Sequence, residues 1–275
     1  MEKIKASLII SVYKNVPFLK AVLDALQFQT EKRFEVIISE DGEDAAMRRF
    51  VNTYNFSGSL HHMTQPDLGW QKNRALNRAA ESAQSDYLVF IDGDCLPHPR
   101  FMEFHIGLAQ EPFVLAGKRI KLDAFSSELL LNGQLTIPLF QKYLFRNYLA
   151  MKRRGAAFME EGFFIDPQSL LGFVPRLRSM YQLKGCNMSF SKQAFYAING
   201  FDEDYVRPAI GEDIDLVWRF EGLGYQLKSV RNLAVQYHLY HKENWTNQEE
   251  NIRLMQQKHD KLQFFCINGT TKGRQ

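Results

Sequence analysis

Cysteine is scarce in this sequence, and none of it is paired. Cys95, Cys186 and Cys266 stand singly among 275 residues with no CxxC motif, which argues against both a zinc ribbon and a disulfide framework. Long hydrophobic runs are missing too. No stretch of 18 apolar residues occurs, so no membrane-spanning helix is expected. The run at 6–13 follows Lys3 and Lys5, but it is short and no small-residue cleavage site lies behind it. A cytoplasmic protein is therefore expected, with contact at the inner face of the membrane left open. Nor is there an excess of one charge. The 34 Lys+Arg and 31 Asp+Glu give a formal charge of +3, too little to imply a nucleic-acid partner, although phosphate ligands stay compatible. Internal repeats and low-complexity segments are absent. The rest is ordinary globular composition, 45% hydrophobic and 24% charged, long enough to bury a sizeable core without staples.

The first hundred residues alternate apolar strands with amphipathic helices. Residues 6–13 (ASLIISVY) and 87–91 (YLVFI) are almost wholly apolar, as strands buried on both faces should be. Residues 34–39 (FEVIIS) form another strand. Asn15 offers an N-cap and Pro17 sits in the first turn of a helix running to about Gln29. A second helix, 70–83, separates the later two strands. This spacing predicts βαβ units, an α/β fold and a mostly parallel central sheet flanked by helices. Ligands of such sheets bind beyond the carboxyl ends of the strands. Those ends carry Tyr13, Asp41 and the pair Asp92 and Asp94.

Residues 120–182 show little alternation and read as an insertion. Within it Thr136 is an expected N-cap, and Ile137, Phe140, Leu144, Tyr148 and Met151 recur at helical spacing among Lys142, Arg146, Lys152, Arg153 and Arg154. This is either a helix with a solvated basic face or a surface, 136–154, that meets an anionic membrane or a lipid-linked acceptor. In the last third, 211–215 (GEDID) opens an amphipathic helix ended by Gly222 and Gly224. Strands at 226–230 and 234–238 follow, and Thr246 with Glu249 reads as the capping box of a final helix to about Gln263.

Asp92-Gly93-Asp94 directly after a buried strand is the sharpest chemical signal. Two carboxylates flanking a glycine can converge on one Mg²⁺ or Mn²⁺, although a plain turn with exposed acids has the same letters. Asp41 could accept a hydrogen bond from a nucleobase imide or simply sit in a turn. Gly69 opens a helix bearing Lys72, Arg74, Asn77 and Arg78, either a solvated face or, with Lys72 in the first turn, a place where phosphate is favoured. Glu212 and Asp213 precede a helix, either as caps or as a general base, and a base there needs a nearby hydroxyl or partial burial. His238 and His241 end a strand, where each is either a metal ligand or a satisfied core histidine. Trp70, Trp218, Tyr181 and Phe190 are either core residues or candidates for stacking on a ligand with flat faces.

Taken jointly, SLIISVYKN (7–15), SEDGE (39–43), GWQKNRALNRA (69–79), IDGDCLPH (91–98), KGCNMSFSKQAFYAINGFDEDY (184–205) and GEDIDLVWRF (211–220) resemble the motifs of family 2 glycosyltransferases, with a C-terminal segment like that of galactosyltransferases. They occur in the expected order over most of the chain. The resemblance implies a GT-A fold, a single domain with a nucleotide-sugar-binding half (1–119), an inserted helical, acceptor region (120–182) and an acceptor-binding, catalytic-base half (183–275). It further implies that Tyr13 and Asp41 hold the nucleobase, that Asp92 and Asp94 flank ribose and metal with Asp94 the direct ligand, and that His238, favoured over His241, completes the metal shell. Asp213 would be the base, with Glu212 contacting donor or acceptor. Ser11, Gly69, Lys72, Asn77, Gly93 and Asn187 are the remaining expected donor contacts. The turn Glu40-Asp41-Gly42-Glu43 departs from the family's Asp-Asp-Gly-Ser, which favours Asp41 over Glu40.

The expected reaction is inverting, metal-dependent transfer of a hexose or N-acetylhexosamine from a UDP-sugar to a saccharide or lipid-linked hydroxyl, in cell-surface polysaccharide synthesis. Two rivals stand beside it. A sugar nucleotidyltransferase would want a glycine-rich phosphate loop after the first strand, where this chain has Tyr13-Lys14-Asn15-Val16-Pro17. A catalytically silent nucleotide-sugar-binding protein would have less reason to keep Asp41, Asp92, Asp94 and Asp213.

Overall fold

The apolar run after Lys5 becomes β1 (Ala6–Val12), which lies between two parallel neighbours and is buried on both faces. The computed structural model describes residues 3–208, 211, 213–242 and 247–271. In chain order, α1 (Val16–Leu26), β2 (Phe34–Glu40), α2 (Ala45–Thr53), β3 (Ser59–Thr64), α3 (Lys72–Ser82), β4 (Tyr87–Asp92), β5 (Cys95–Pro97) and α4 (Phe101–Gly107) make the first half. There follow β6 (Phe113–Ala116), β7 (Ile120–Lys121), α5 (Ala124–Leu131), α6 (Ile137–Arg153), β8 (Met188–Ser191), α7 (Lys192–Ala197), α8 (Ile214–Gly222), β9 (Gln226–Ser229), β10 (Gln236–His238) and α9 (Glu249–Asp260).

The main sheet has the order β3-β2-β1-β4-β8-β6-β9. It is parallel through β3, β2, β1 and β4; β8 runs antiparallel to both β4 and β6, and β9 pairs parallel with β6. Register sets the functional rim. Val12 faces Glu40 and Ser11 faces Asp92, so the segments after β1, β2 and β4 leave the sheet at one level. Because β8 is reversed, its start at Met188, opposite Phe90 and Ala116, brings 184–187 and 117–119 to that same rim. A small second sheet, β5-β10-β7, sets His238 opposite Cys95 and Lys121.

The predicted strands and helices in the first hundred residues are present, and the Asn15 side chain caps α1 by accepting from the Phe18 N–H. Two elements between β2 and α3 are not foreseen by periodicity. β3 is an edge strand reading SLHHMT, half-buried except at the exposed His61, and α2 buries only Met47 and Val51. The 120–182 insertion is tied to the core. Ile137, Phe140, Leu144 and Met151 of α6 belong to the same apolar cluster as β1 and α1. The outward side of α6 carries Leu139, Phe145 and Leu149, all well exposed, and the helix contains no Asp or Glu. Thr136 sits at its N-cap without a side-chain hydrogen bond. The expected capping box fails for α9. Glu249 is the first helical residue and Gln248 the N-cap, so Glu249 cannot be the third-position partner; Thr246 lies outside the described residues.

Candidate active site

The level strand ends open into a cleft of about 1110 Å³. Its lining combines Ser11 and Tyr13 after β1, Asp41 after β2, Gly69 and Lys72 at the start of α3, and Asp92, Gly93 and Asp94 after β4. Arg119, Lys121, Lys184, Asp213, His238 and His241 complete it from the second half.

Asp41 is nearly buried, and its carboxylate is fixed by two donors. Gln65 Nε2 reaches one oxygen at 2.8 Å and the Gln71 N–H the other at 2.7 Å. Each oxygen keeps a lone pair for a ligand. Glu40 beside it has another job: it accepts from the Asp44 N–H at 2.9 Å and pairs with His62 at 2.8 Å. The Tyr13 ring is 54% exposed at the cleft edge. Its hydroxyl donates to Asp67 at 3.2 Å, and Lys14 reaches the same carboxylate at 2.5 Å. Gly69 takes φ +87°, a left-handed conformation that costs a glycine nothing.

The two acids of the DGD turn have different partners. Lys72 Nζ lies 2.8 Å from Asp92 Oδ1 and Arg119 3.8 Å from its other oxygen. Asp94 meets imidazoles instead, with His241 Nε2 at 3.1 Å and His238 Nε2 at 3.4 Å from its Oδ2. Burial alone would raise the Asp94 pKa, but hydrogen bonds to His238 and His241 hold it well below the usual carboxylate range. One carboxylate and two imidazole nitrogens are a donor set that suits Mn²⁺ and its neighbours, so these residues fit a divalent cation. Both histidines reach Asp94, whereas sequence favours His238 alone. Gly93 between the acids is dictated by crowding. Its N–H donates to Ser11 O at 2.8 Å, and a Cβ there would lie 2.7 Å from Val12 Cγ1.

Asp213 stands at the N-cap position of α8 but does not cap it; its side chain accepts from the Gly185 N–H at 3.3 Å. Burial raises its pKa, with Lys184 and the Gly185 N–H offsetting part of the rise. A carboxylate so placed is a better base than an exposed one. Asp215, two residues on, is turned inward. It binds Tyr205 Oη at 2.8 Å and Arg219 at 2.9 Å, and Arg219 is itself fully buried. Glu212 lies outside the described residues.

Two expected donor contacts do not line the cleft. Asn77 is buried, its amide donating to Phe201 O and Glu203 and accepting from the Phe201 N–H, so it fastens α3 to the 201–203 loop. Asn187 is fully buried and donates to Lys118 O and Ala234 O at 2.9 Å, while its carbonyl faces His105 Nε2 at 3.1 Å. Both are structural amides because every polar atom is spent inside the protein. Of the aromatic candidates, Trp70 lines the cleft. Trp218 packs on His259 and Phe264, Phe190 is core, and Tyr181 stands outside the cleft lining. Arg119 and Lys121 are marked in the sequence by nothing but their proximity to strand ends, and Lys184 only by opening the 184–205 segment.

A family model described as glycosyl transferase family 2 matches residues 7–164, and one described as N-terminal domain of galactosyltransferase matches 175–242. Among curated relatives, hyaluronan synthase of Pasteurella multocida is 24% identical over 90% of this chain and 26% of its own length. Chondroitin synthase of Escherichia coli is 24% identical over 92% of this chain and 38% of its own. Validoxylamine A glucosyltransferase of Streptomyces hygroscopicus subsp. jinggangensis is 27% identical over 79% and 51%. The chain thus spans about a quarter to a half of the length of these relatives. The fold resembles that of S. aureus TarS in complex with UDP-GlcNAc (TM-score 0.56, 14% identity, 91% of this chain and 65% of that one). It also resembles the mannosyltransferase PcManGT of Pyrobaculum calidifontis in complex with GDP-Man and Mn²⁺ (TM-score 0.55, 15% identity, 94% and 62%).

Proposed function

The chain belongs to glycosyl transferase family 2 and has the GT-A fold, and from that premise we propose that it transfers a sugar from a UDP-sugar to a hydroxyl acceptor with inversion at the anomeric carbon. The observation that carries this reading is the gathering of Asp41, Asp92, Asp94, His238 and Asp213, from distant parts of the sequence, along one cleft.

In this reading Tyr13 stacks on the nucleobase and Asp41 accepts its imide N–H. Lys72 and Arg119 balance the charge of Asp92 and favour the donor diphosphate nearby. Asp94, His238 and His241 would hold a divalent cation, Mn²⁺ or Mg²⁺, which when bound supplies Lewis-acid help to the departing phosphate. Asp213 takes the acceptor proton as the acceptor oxygen forms its bond to the anomeric carbon; the bond from that carbon to the diphosphate oxygen breaks, and UDP leaves with the electron pair. The direct test is UDP release from a panel of UDP-sugars with Mn²⁺, with the anomeric configuration of the product read by NMR. Turnover that survives Asp94→Ala or Asp213→Asn unchanged overturns the assignment. Tight nucleotide-sugar binding without turnover on any acceptor would favour a silent binding protein.

We also propose a weak peripheral contact with anionic membranes through α6. Phe145 is 77% and Leu149 66% exposed, and Lys142, Arg146, Lys152 and Arg153 flank them with no acid on the helix. Among the described residues no helix is long and apolar enough to cross a membrane.

A further inference from the structure

Cys95 follows the DGD turn directly and is fully buried. Its Sγ donates to Asp94 Oδ1 at 3.2 Å. In the antiparallel pairing of β5 and β10 it lies directly opposite His238, and cross-strand partners project to the same face of a sheet. Asp94, Cys95 and His238 accordingly offer an oxygen, a sulfur and a nitrogen within 4.8 Å of one another.

We propose that Cys95 is a sulfur ligand of the cation position formed by Asp94 and His238, and that it opens this position to thiophilic ions such as Zn²⁺. The inference rests on the metal site of the proposed function and adds a donor to it. Bond lengths of about 2.0–2.3 Å to zinc imply donor-to-donor edges of roughly 3.3–3.8 Å in a tetrahedron. Cys95 Sγ lies 3.2 Å from Asp94 Oδ1 and His238 Nε2 lies 3.4 Å from Asp94 Oδ2, so each flanks one oxygen of the carboxylate at a separation close to such an edge. Asp94, Cys95 and His238 thus supply three donors of different kinds to one position. The sulfur distinguishes this set from the oxygen ligands that Mg²⁺ prefers and favours a softer ion. Binding as thiolate releases the Cys95 proton to solvent.

A second trio, Asp92, Cys95 and Cys186, is equally close in space but already faces cations. Arg119 donates to Cys186 Sγ at 2.7 Å, and Lys72 pairs with Asp92 at 2.8 Å. An added divalent ion there would meet two like charges, which singles out the Asp94 side.

Co²⁺ titration of the full chain tests this, because a cobalt–thiolate bond gives a near-ultraviolet charge-transfer band. The band is expected in the unmodified protein and in Cys186→Ser, and absent from Cys95→Ser. Co²⁺ affinity should fall in Cys95→Ser by at least the roughly 10–100-fold lost when a supporting partner is removed, and zinc should suppress Mn²⁺-supported UDP release less in that variant. Cadmium NMR of the unmodified protein gives the same answer without a substitution: a thiolate-shifted resonance supports the inference and an oxygen–nitrogen shift overturns it. Co²⁺ binding without the band, or a band lost in Cys186→Ser and kept in Cys95→Ser, also overturns it. In both cases Mn²⁺ binding by EPR, abolished in Asp94→Ala, would leave the metal site itself standing. No Mn²⁺ binding by the unmodified protein would remove the site and the inference together.

Discussion

The Asp213 carboxylate accepts from the Gly185 N–H at 3.3 Å while leaving the end of its own helix uncapped. A cap would give its lone pairs to α8. Here the Gly185 loop amide orients the group, leaving a lone pair for the acceptor hydroxyl of the proposed reaction. Asp213→Asn keeps that hydrogen bond and removes the proposed base. UDP release should fall about 10²–10⁴-fold with donor affinity little changed, as measured by steady-state kinetics and by nucleotide-sugar binding to the same variant.

The raised pKa of Asp213 gives a second prediction. As the proposed base, Asp213 must be ionised, so the acidic limb of kcat should turn over above the ordinary Asp value. For stability the sign runs the other way. A buried acid with a raised pKa contributes stability that is complete below its unfolded pKa and is lost as pH rises through the folded value. Asp213→Asn should therefore raise the melting temperature at neutral pH and lose that advantage in acid. Thermal melts across pH check this.

Asp215 and Arg219 pair one turn apart in the interior, where Arg219 also donates to Phe264 O at 3.1 Å and to Gly200 O at 2.9 Å. Arg219→Ala leaves a buried carboxylate with its ion pair broken and should cost about 3–5 kcal/mol. Denaturant titration would report the loss.

Asn187→Ala separates a structural role from donor binding. Lys118 O and Ala234 O lose a donor and His105 a partner, at about 1–3 kcal/mol for each group left unpaired. The variant is expected to melt earlier yet hold UDP-sugar with near-normal affinity below its transition. A large affinity loss in the folded variant would return Asn187 to the donor site.

For α6, Phe145→Glu and Leu149→Glu should reduce sedimentation with vesicles containing phosphatidylserine and leave binding of the soluble donor unchanged. High salt should act in the same direction, since the basic residues of α6 contribute through screened charge. No sedimentation of the unmodified protein at low salt would refute the membrane contact.

Much of this site was readable in one dimension because a parallel sheet delivers its strand ends to one rim. Tyr13, Asp41, Asp92 and Asp94 follow apolar runs that could only be buried strands, so their shared neighbourhood follows from topology. Other residues resisted for a physical reason. Asn77 and Asn187 have the chemistry of ligand-binding amides, and only the backbone groups around them reveal that their hydrogen bonds are already spent. Asp213 and Asp215 are two letters apart on one helix, and the inward turn of Asp215 depends on Arg219 and Tyr205. The choice between His238 and His241 could not be read either, because both reach Asp94. β3 was invisible because a half-buried edge strand carrying two histidines lacks both alternation and a continuous apolar run.

The wedge of Gly93 against Val12 has one more consequence. Tyr13 follows Val12 and Asp94 follows Gly93, and the backbone bond from Gly93 to Ser11 leaves no slack for a side chain between them. The backbone at Tyr13 and at Asp94 is thereby locked to a single spacing, and in the proposed reaction the cleft would act as a gauge of fixed length for the nucleoside diphosphate of the donor.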